Sequence, residues 1–232
     1  MRLGLLGDIH GNAAALAAVL AAAERSSLDA LCITGDFVGY YYEPDTVLAM
    51  LSAWQRHAVR GNHEDLLFES MREPQAAESY KRKYGSGVEA ATRRLSAAQL
   101  AYLEQLPRTL LLDLGGKTLL LGHGSPWDTD HYMYVNVDQA LWDRAVEGGS
   151  DYLVLGHTHH PFAKQVGNTL VINPGSVGQP RDRRPGAAWA VLDTETGDVT
   201  HRMETYDIDS LVAQVRATDP LLPYLAQVLT RR

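Results

Sequence analysis

Leu3-Gly4-Leu5-Leu6-Gly7-Asp8-Ile9-His10-Gly11-Asn12 is the stretch that decides how the rest of the chain is read. A short apolar run stops at Gly-Asp, a loop follows, and beyond Asn12 an alanine-rich segment carries Leu16, Val19, Leu20 and Ala23 at helical spacing. This order predicts strand, loop and helix, with Asn12 as the helix cap. The pattern returns downstream. An apolar run over 30–34 meets a loop over 35–44, then a helix carrying Val47, Leu48 and Leu51, then a short strand over 57–59. Strands alternating with helices predict an α/β protein with a largely parallel sheet.

Residues 64–106 are rich in Ala, Leu, Glu, Arg and Lys and are interrupted by Pro74 and Gly85-Ser86-Gly87. They predict several helices and form a lid candidate. Two apolar runs, 108–113 and 117–121, joined across Gly115-Gly116, predict a hairpin that opens a second sheet. Further strands are expected at 152–155, 162–166, 169–173 and 187–193, and 199–206 closes a last hairpin. The tail, 207–232, has helical spacing on either side of Asp219-Pro220. With 232 residues, the chain is expected to form one domain that buries its core without disulfides or a structural metal.

Composition narrows the partners. Lys and Arg number 21 against 28 acidic residues, and the resulting net charge of −7 disfavours long nucleic acid. The one cysteine, Cys32, lies in the apolar run Ala30-Leu31-Cys32-Ile33, which excludes an internal disulfide and predicts a buried strand residue. The first apolar run is too short for a signal peptide and no stretch approaches membrane-spanning length, so no membrane partner and a cytoplasmic location are expected.

Five polar clusters each follow an apolar run: Asp8-Ile9-His10, Gly35-Asp36, Gly61-Asn62-His63-Glu64, Gly122-His123-Gly124 and Gly156-His157-Thr158-His159. Ligands of open α/β sheets bind beyond the carboxyl ends of the strands, so these clusters can converge. Carboxylate and imidazole together suit borderline divalent metals, and the lack of cysteine donors argues against a structural zinc. Asp8, His10, Asp36, Asn62, His123, His157 and His159 exceed what one tetrahedral ion takes. A bridging carboxylate such as Asp36 would set two ions roughly 3.5–4 Å apart. In an extended backbone the i, i+2 spacing of Asp8 with His10, and of His157 with His159, would put each pair on one side.

The ordered set Asp-x-His, Gly-Asp, Gly-Asn-His-Glu, Gly-His-Gly and Gly-His-x-His resembles the calcineurin-like metallophosphoesterases. The later Ile172-Asn173-Pro174-Gly175-Ser176-Val177-Gly178-Gln179-Pro180-Arg181 is similar to their small bacterial and archaeal phosphodiesterase branch, and the resemblance spans about residues 1–195. It implies a four-layer αββα sandwich of two mixed β-sheets flanked by helices. It further implies one ion on Asp8, His10, Asp36 and His159 and a second on Asp36, Asn62, His123 and His157, with His63 free of metal. Mn²⁺ is the first choice, with Fe, Ni²⁺, Co²⁺ and Zn²⁺ also accepted by these donors.

The expected activity is hydrolysis of phosphodiester bonds in small substrates by direct attack of a metal-bridging hydroxide, His63 assisting the leaving oxygen as the catalytic residue. The alternatives are a phosphomonoesterase, including a protein phosphatase or dinucleoside tetraphosphatase, and a non-catalytic scaffold on the same fold. Tyr40 and Arg181 are the substrate-binding candidates. Tyr40 belongs to Tyr40-Tyr41-Tyr42; relatives commonly have Gly-Tyr-Gly where this chain has Gly39-Tyr40-Tyr41, so two extra rings are expected to narrow the entrance. Arg181 heads the basic group with Arg183 and Arg184 and matches phosphate oxygens in a bidentate way. His57 and His201 are expected in structural or solvated roles, and His131 and His160 as flanking groups.

Overall fold

Apolar residues alternate along the central strands, so each strand offers side chains to both of its faces. In the computed structural model, which describes residues 1–232, β1 (Arg2–Leu6), β2 (Ala30–Ile33) and β3 (Arg56–Ala58) lie parallel. β9 (Ala187–Asp193) and β10 (Val199–Glu204) extend this sheet antiparallel, in the order β10-β9-β1-β2-β3. The second sheet has the order β4-β5-β6-β8-β7, built from β4 (Thr109–Asp113), β5 (Thr118–Gly122), β6 (Tyr152–Val154), β7 (Phe162–Val166) and β8 (Thr169–Asn173).

The two sheets face each other through one half of each alternation. Leu3, Leu5, Cys32, Ala190 and Leu192 meet Leu119, Leu121, Tyr152, Val154 and Ile172. The other half points outward: Leu6, Leu31, Ile33 and Trp189 pack beneath α1 (Ala13–Glu24) and α2 (Pro44–Leu51). Leu153, Leu155 and Val171 pack beneath Trp142 of α7 (Gln139–Ala145). The result is the four-layer sandwich. Each buried leucine contributes about 1.5–3 kcal/mol relative to exposure, and slipping a strand by one residue would exchange its two faces.

Both sheets are mixed, not largely parallel, because hairpins supply β4, β7, β9 and β10 antiparallel to their neighbours. Asn12 caps α1 as expected, its Oδ1 accepting from the Ala15 N–H at 3.1 Å. The segment 64–106 forms α3 (Asn62–Arg72), α4 (Pro74–Tyr84), α5 (Gly87–Arg94) and α6 (Ala97–Gln105). The tail forms α8 (Ile208–Thr218) and α9 (Tyr224–Thr230). Helix α7 was not foreseen; its seven residues are too few for a periodic apolar signal. Cys32 is buried between the sheets. No helix is long and apolar enough to cross a membrane.

Candidate metal centre

The loops that leave β1 and β2 are zipped together by backbone hydrogen bonds, Asp8 N to Gly35 O at 3.1 Å and His10 N to Asp36 O at 2.8 Å. Asp8, His10, Asp36, His157 and His159 all have left-handed backbones, with φ between 53° and 64°. The expected extended geometry at the two i, i+2 pairs is therefore corrected. Asp8 and His10 converge on one cluster through a left-handed backbone at both residues, at roughly 1–3 kcal/mol per residue, a cost tolerated where surrounding contacts over-determine the turn, whereas His157 and His159, with the same backbone, divide between two clusters. Close approach also selects glycine: a Cβ on Gly61 would lie 2.1 Å from Asp36 Oδ1, and one on Gly39 (φ +93°) 2.0 Å from His63 Nδ1.

Two clusters of donor atoms result. Asp8, His10 and His159 form one and Asp36, His123 and His157 the other, the ligand atoms within each lying within 4.8 Å of one another. All six residues are buried. Asp36 stands between the clusters, its Oδ2 3.7 Å from His10 Nε2 and 3.3 Å from His123 Nε2. Asn62 places Oδ1 3.0 Å from His123 Nε2. His63 forms a third such group with His10 and Asp36, one member of each cluster, so it stands as near to both as the ligand candidates do. Its Nδ1 is buried without a partner.

Carbonyl oxygens fix the histidine tautomers, since a carbonyl can only accept. Val38 O lies 3.0 Å from His10 Nδ1, Gln179 O 2.6 Å from His159 Nδ1 and Thr34 O 2.8 Å from His123 Nδ1. Each Nδ1 thus carries a proton, which leaves the Nε2 of a neutral His10 or His159 with a lone pair. His10 and His159 then point two lone pairs at each other across 3.2 Å, with the Asp8 carboxylate 3.4 Å from His159 Nε2. Acceptors aimed at one another call for a cation between them, and this nitrogen and oxygen set suits a divalent one.

The charge balance agrees. Burial lowers His10 and His159 well below the ordinary range and takes His157 down to about 3, so these imidazoles are neutral. Burial also raises Asp8 to about 7, the neighbouring Asp36 charge adding to it. Burial works against charge on Asp36 too, but His123 and His63 hold it well below its usual value. For His123 burial is outweighed by the Asp36 and Asp8 carboxylates, which lift it to about 10. A positive charge is favoured at the very position where the second cluster converges.

Behind this layer lies a residue to which sequence reasoning assigned no role. Glu64 is fully buried, and its carboxylate accepts the N–H groups of Asp36 (2.9 Å), Phe37 (2.8 Å), Val38 (3.2 Å) and Gly61 (2.9 Å). It ties the Asp36 loop to the Asn62 loop. Its place at the third helical position after Gly61, from which a glutamate reaches back to the N-cap N–H, is a signal that would have found it.

Residues 1–197 match the profile of the calcineurin-like phosphoesterase superfamily domain. The chain belongs to that superfamily. Among its relatives, an uncharacterised Methanocaldococcus jannaschii protein, MJ0912, is 28% identical over 224 residues, covering 89% of this chain and 88% of its own. The phosphodiesterase YfcE of Escherichia coli is 39% identical over 66 residues, which are 28% of this chain and 33% of YfcE. A solved metallophosphoesterase from Sphaerobacter thermophilus superposes with a TM-score of 0.78 at 28% identity, covering 99% of this chain and 98% of its own. The Pyrococcus horikoshii protein PH1004 shares the fold, with a TM-score of 0.85 at 21% identity over 99% of this chain and 98% of its own.

Around the candidate metal centre, the substrate-binding candidates divide. Arg181 donates from Nη2 to the Tyr40 hydroxyl at 3.0 Å and to Gln179 Oε1 at 3.1 Å. Tyr40 packs edge-on against His10 at 4.6 Å and tilted against His63 at 4.8 Å. Tyr41 and Tyr42 do not narrow the entrance. They are buried, with hydroxyls given to Leu225 O (3.1 Å) and Asp219 Oδ2 (2.7 Å) of the C-terminal segment. Arg183 is exposed, and Arg184 pairs with Asp182. His201 binds the Asn173 carbonyl at 2.9 Å and His57 lies in β3. His131 packs beside Trp127, and His160 turns its Nδ1 to Thr158 O.

Proposed function

We propose that this chain hydrolyses small phosphodiesters with two divalent ions, one held by Asp8, His10, Asp36 and His159 and the other by Asp36, Asn62, His123 and His157. The observation that carries the reading is the set of fixed-tautomer Nε2 atoms facing one another and the shared Asp36 carboxylate. Two such ions supply Lewis acidity toward phosphoryl oxygens and a water that ionises near neutral pH. Mn²⁺ is the first choice among the metals that this donor set accepts.

The chain's own residues do the rest. Asp36 orients both halves of the centre, and Glu64 holds the Asp36 loop in place through its backbone N–H groups. Burial takes His63 down to about 4, so at neutral pH it is an uncharged imidazole. In that form it steadies the leaving oxygen by hydrogen bonding. Arg181, splinted by Tyr40 and Gln179, offers a fixed guanidinium to a phosphate oxygen.

Diesters are favoured over monoesters by the likeness to the phosphodiesterase YfcE. The test compares bis(4-nitrophenyl) phosphate with 4-nitrophenyl phosphate, using chelator-stripped protein with and without Mn²⁺. Mn²⁺-dependent preference for the diester is expected. Preference for the monoester would make the chain a phosphatase, and no hydrolysis with Mn²⁺, Fe²⁺, Co²⁺, Ni²⁺ or Zn²⁺ would make it a scaffold.

A further inference from the structure

Between β5 and α7, residues 123–138 carry no helix or strand, a length of loop that compact domains usually reserve for function. Its centre, Tyr132-Met133-Tyr134, alternates out, in, out. Met133 is buried against Trp142, Leu153 and Phe162, while Tyr132 and Tyr134 are 43% and 36% exposed. Lys164 Nζ donates to the Val135 carbonyl at 3.2 Å and secures the far end. The two outward rings are therefore held by a plug in the core.

Those rings continue the metal centre outward. Tyr132 lies over the His157 imidazole with ring centroids 4.0 Å apart, and His157 is fixed from behind by the Asp130 carbonyl at 3.2 Å. Tyr134 is parallel to Tyr132, 5.7 Å away with 7° between planes, and meets His160 edge-on at 5.5 Å. A column of rings runs from a candidate ligand to the surface. Positive charge at the centre comes from Arg181, whose Nη2 is held by the Tyr40 hydroxyl at 3.0 Å, with the Tyr40 ring 4.6 Å from that of His10. Lys83 Nζ lies 4.7 Å over the Tyr84 ring, which is itself 5.2 Å from the His63 ring.

We propose that Tyr132 and Tyr134 form a stacking subsite for the base of a nucleoside phosphoester, placing its phosphate beside His157 and Arg181. The inference rests on the phosphoester-hydrolase reading above and names its substrate class. An exposed pair of parallel rings held rigidly in register offers a sequence-tolerant surface for a flat base. The same rings without nearby positive charge would suit a quaternary ammonium group. Arg181 and Lys83 oppose that occupant and favour one that carries its own phosphate.

The experiment measures kcat/KM for thymidine 5′-(4-nitrophenyl phosphate), methyl 4-nitrophenyl phosphate and 4-nitrophenyl phosphocholine on the Mn²⁺-loaded full chain. All three release the same nitrophenolate, so the ratios report only the retained group. The thymidine ester is expected to exceed the methyl ester by about tenfold or more. Tyr134→Ala should reduce that ratio to below a third of its wild-type value, and Tyr134→Phe should preserve it. General damage to the centre cancels in the ratio. Equal rates for the thymidine and methyl esters, a ratio unmoved in Tyr134→Ala, or preference for the choline ester would overturn the proposal.

Should no ester be hydrolysed, the phosphoester-hydrolase reading fails while the subsite is still read by calorimetry of AMP against ribose 5-phosphate. At least tenfold tighter AMP binding, lost in Tyr134→Ala, sustains the subsite; equal binding rejects it.

Discussion

Glu64 shows how one side chain can govern a centre that it does not touch. Four backbone N–H groups share its carboxylate, and hydrogen bonds to a charged group contribute about 1.5–3 kcal/mol each. Glu64→Gln turns one acceptor oxygen into a donor facing those N–H groups. We expect a loss of about 2–4 kcal/mol in urea unfolding and metal affinity weakened by about 10–100-fold. Wild-type stability in that variant would remove Glu64 from its positioning role. His63 calls for a different experiment, because its donor atom lies close to His10 and Asp36 while its Nδ1 has no partner. His63→Ala should lower turnover by about 10²–10⁴-fold with metal content unchanged by atomic absorption. Loss of an ion would make it a ligand, and full turnover would make it a bystander.

At the scale of elements, the helices of segment 64–106 differ in how they are held. Leu67 of α3, Val88 and Ala91 of α5 and Leu103 of α6 join the core beneath the first sheet, whereas α4 buries no residue. The lid role is therefore proposed for α4 alone, whose C-terminal Tyr84 sits 5.2 Å from the His63 ring. Amides of α4 should exchange with deuterium faster than those of α3 and α5, as read by native-state mass spectrometry, and equal protection would make α4 part of the fixed wall. Strands and the grouping of candidate ligands were legible because the alternation of Leu3, Leu5 and Cys32 with Leu6 and Ile33 and the Gly-Asp and Gly-His ends are local signals. The left-handed turns at Asp8 and His157 were not, since nothing in an Asp-x-His spacing says which backbone region it occupies. Nor were the carbonyls of Thr34, Val38 and Gln179, which any residue could supply. Tyr132 and Tyr134 escaped notice because a loop has no period to read.

For the whole molecule, two buried sheets deliver loops from both halves to one edge, and the tail reinforces that edge. Asp219 accepts from the Tyr42 hydroxyl and from Ser86, joining the C-terminal segment to the loop beside Tyr40 and to the start of α5. A chain of net charge −7 can still receive an anion there, since the candidate ions and Arg181 set the local potential. The central claim is that fixed imidazoles and a shared carboxylate hold two ions that carry the hydrolysis. Its most direct test is a calorimetric titration of chelator-stripped protein with Mn²⁺, with diesterase activity followed on the same samples. We predict two ions per chain, activity that rises with their uptake, and loss of both ions and activity together in Asp36→Asn. Full diesterase activity in the stripped protein, or two ions still bound by Asp36→Asn, would contradict it.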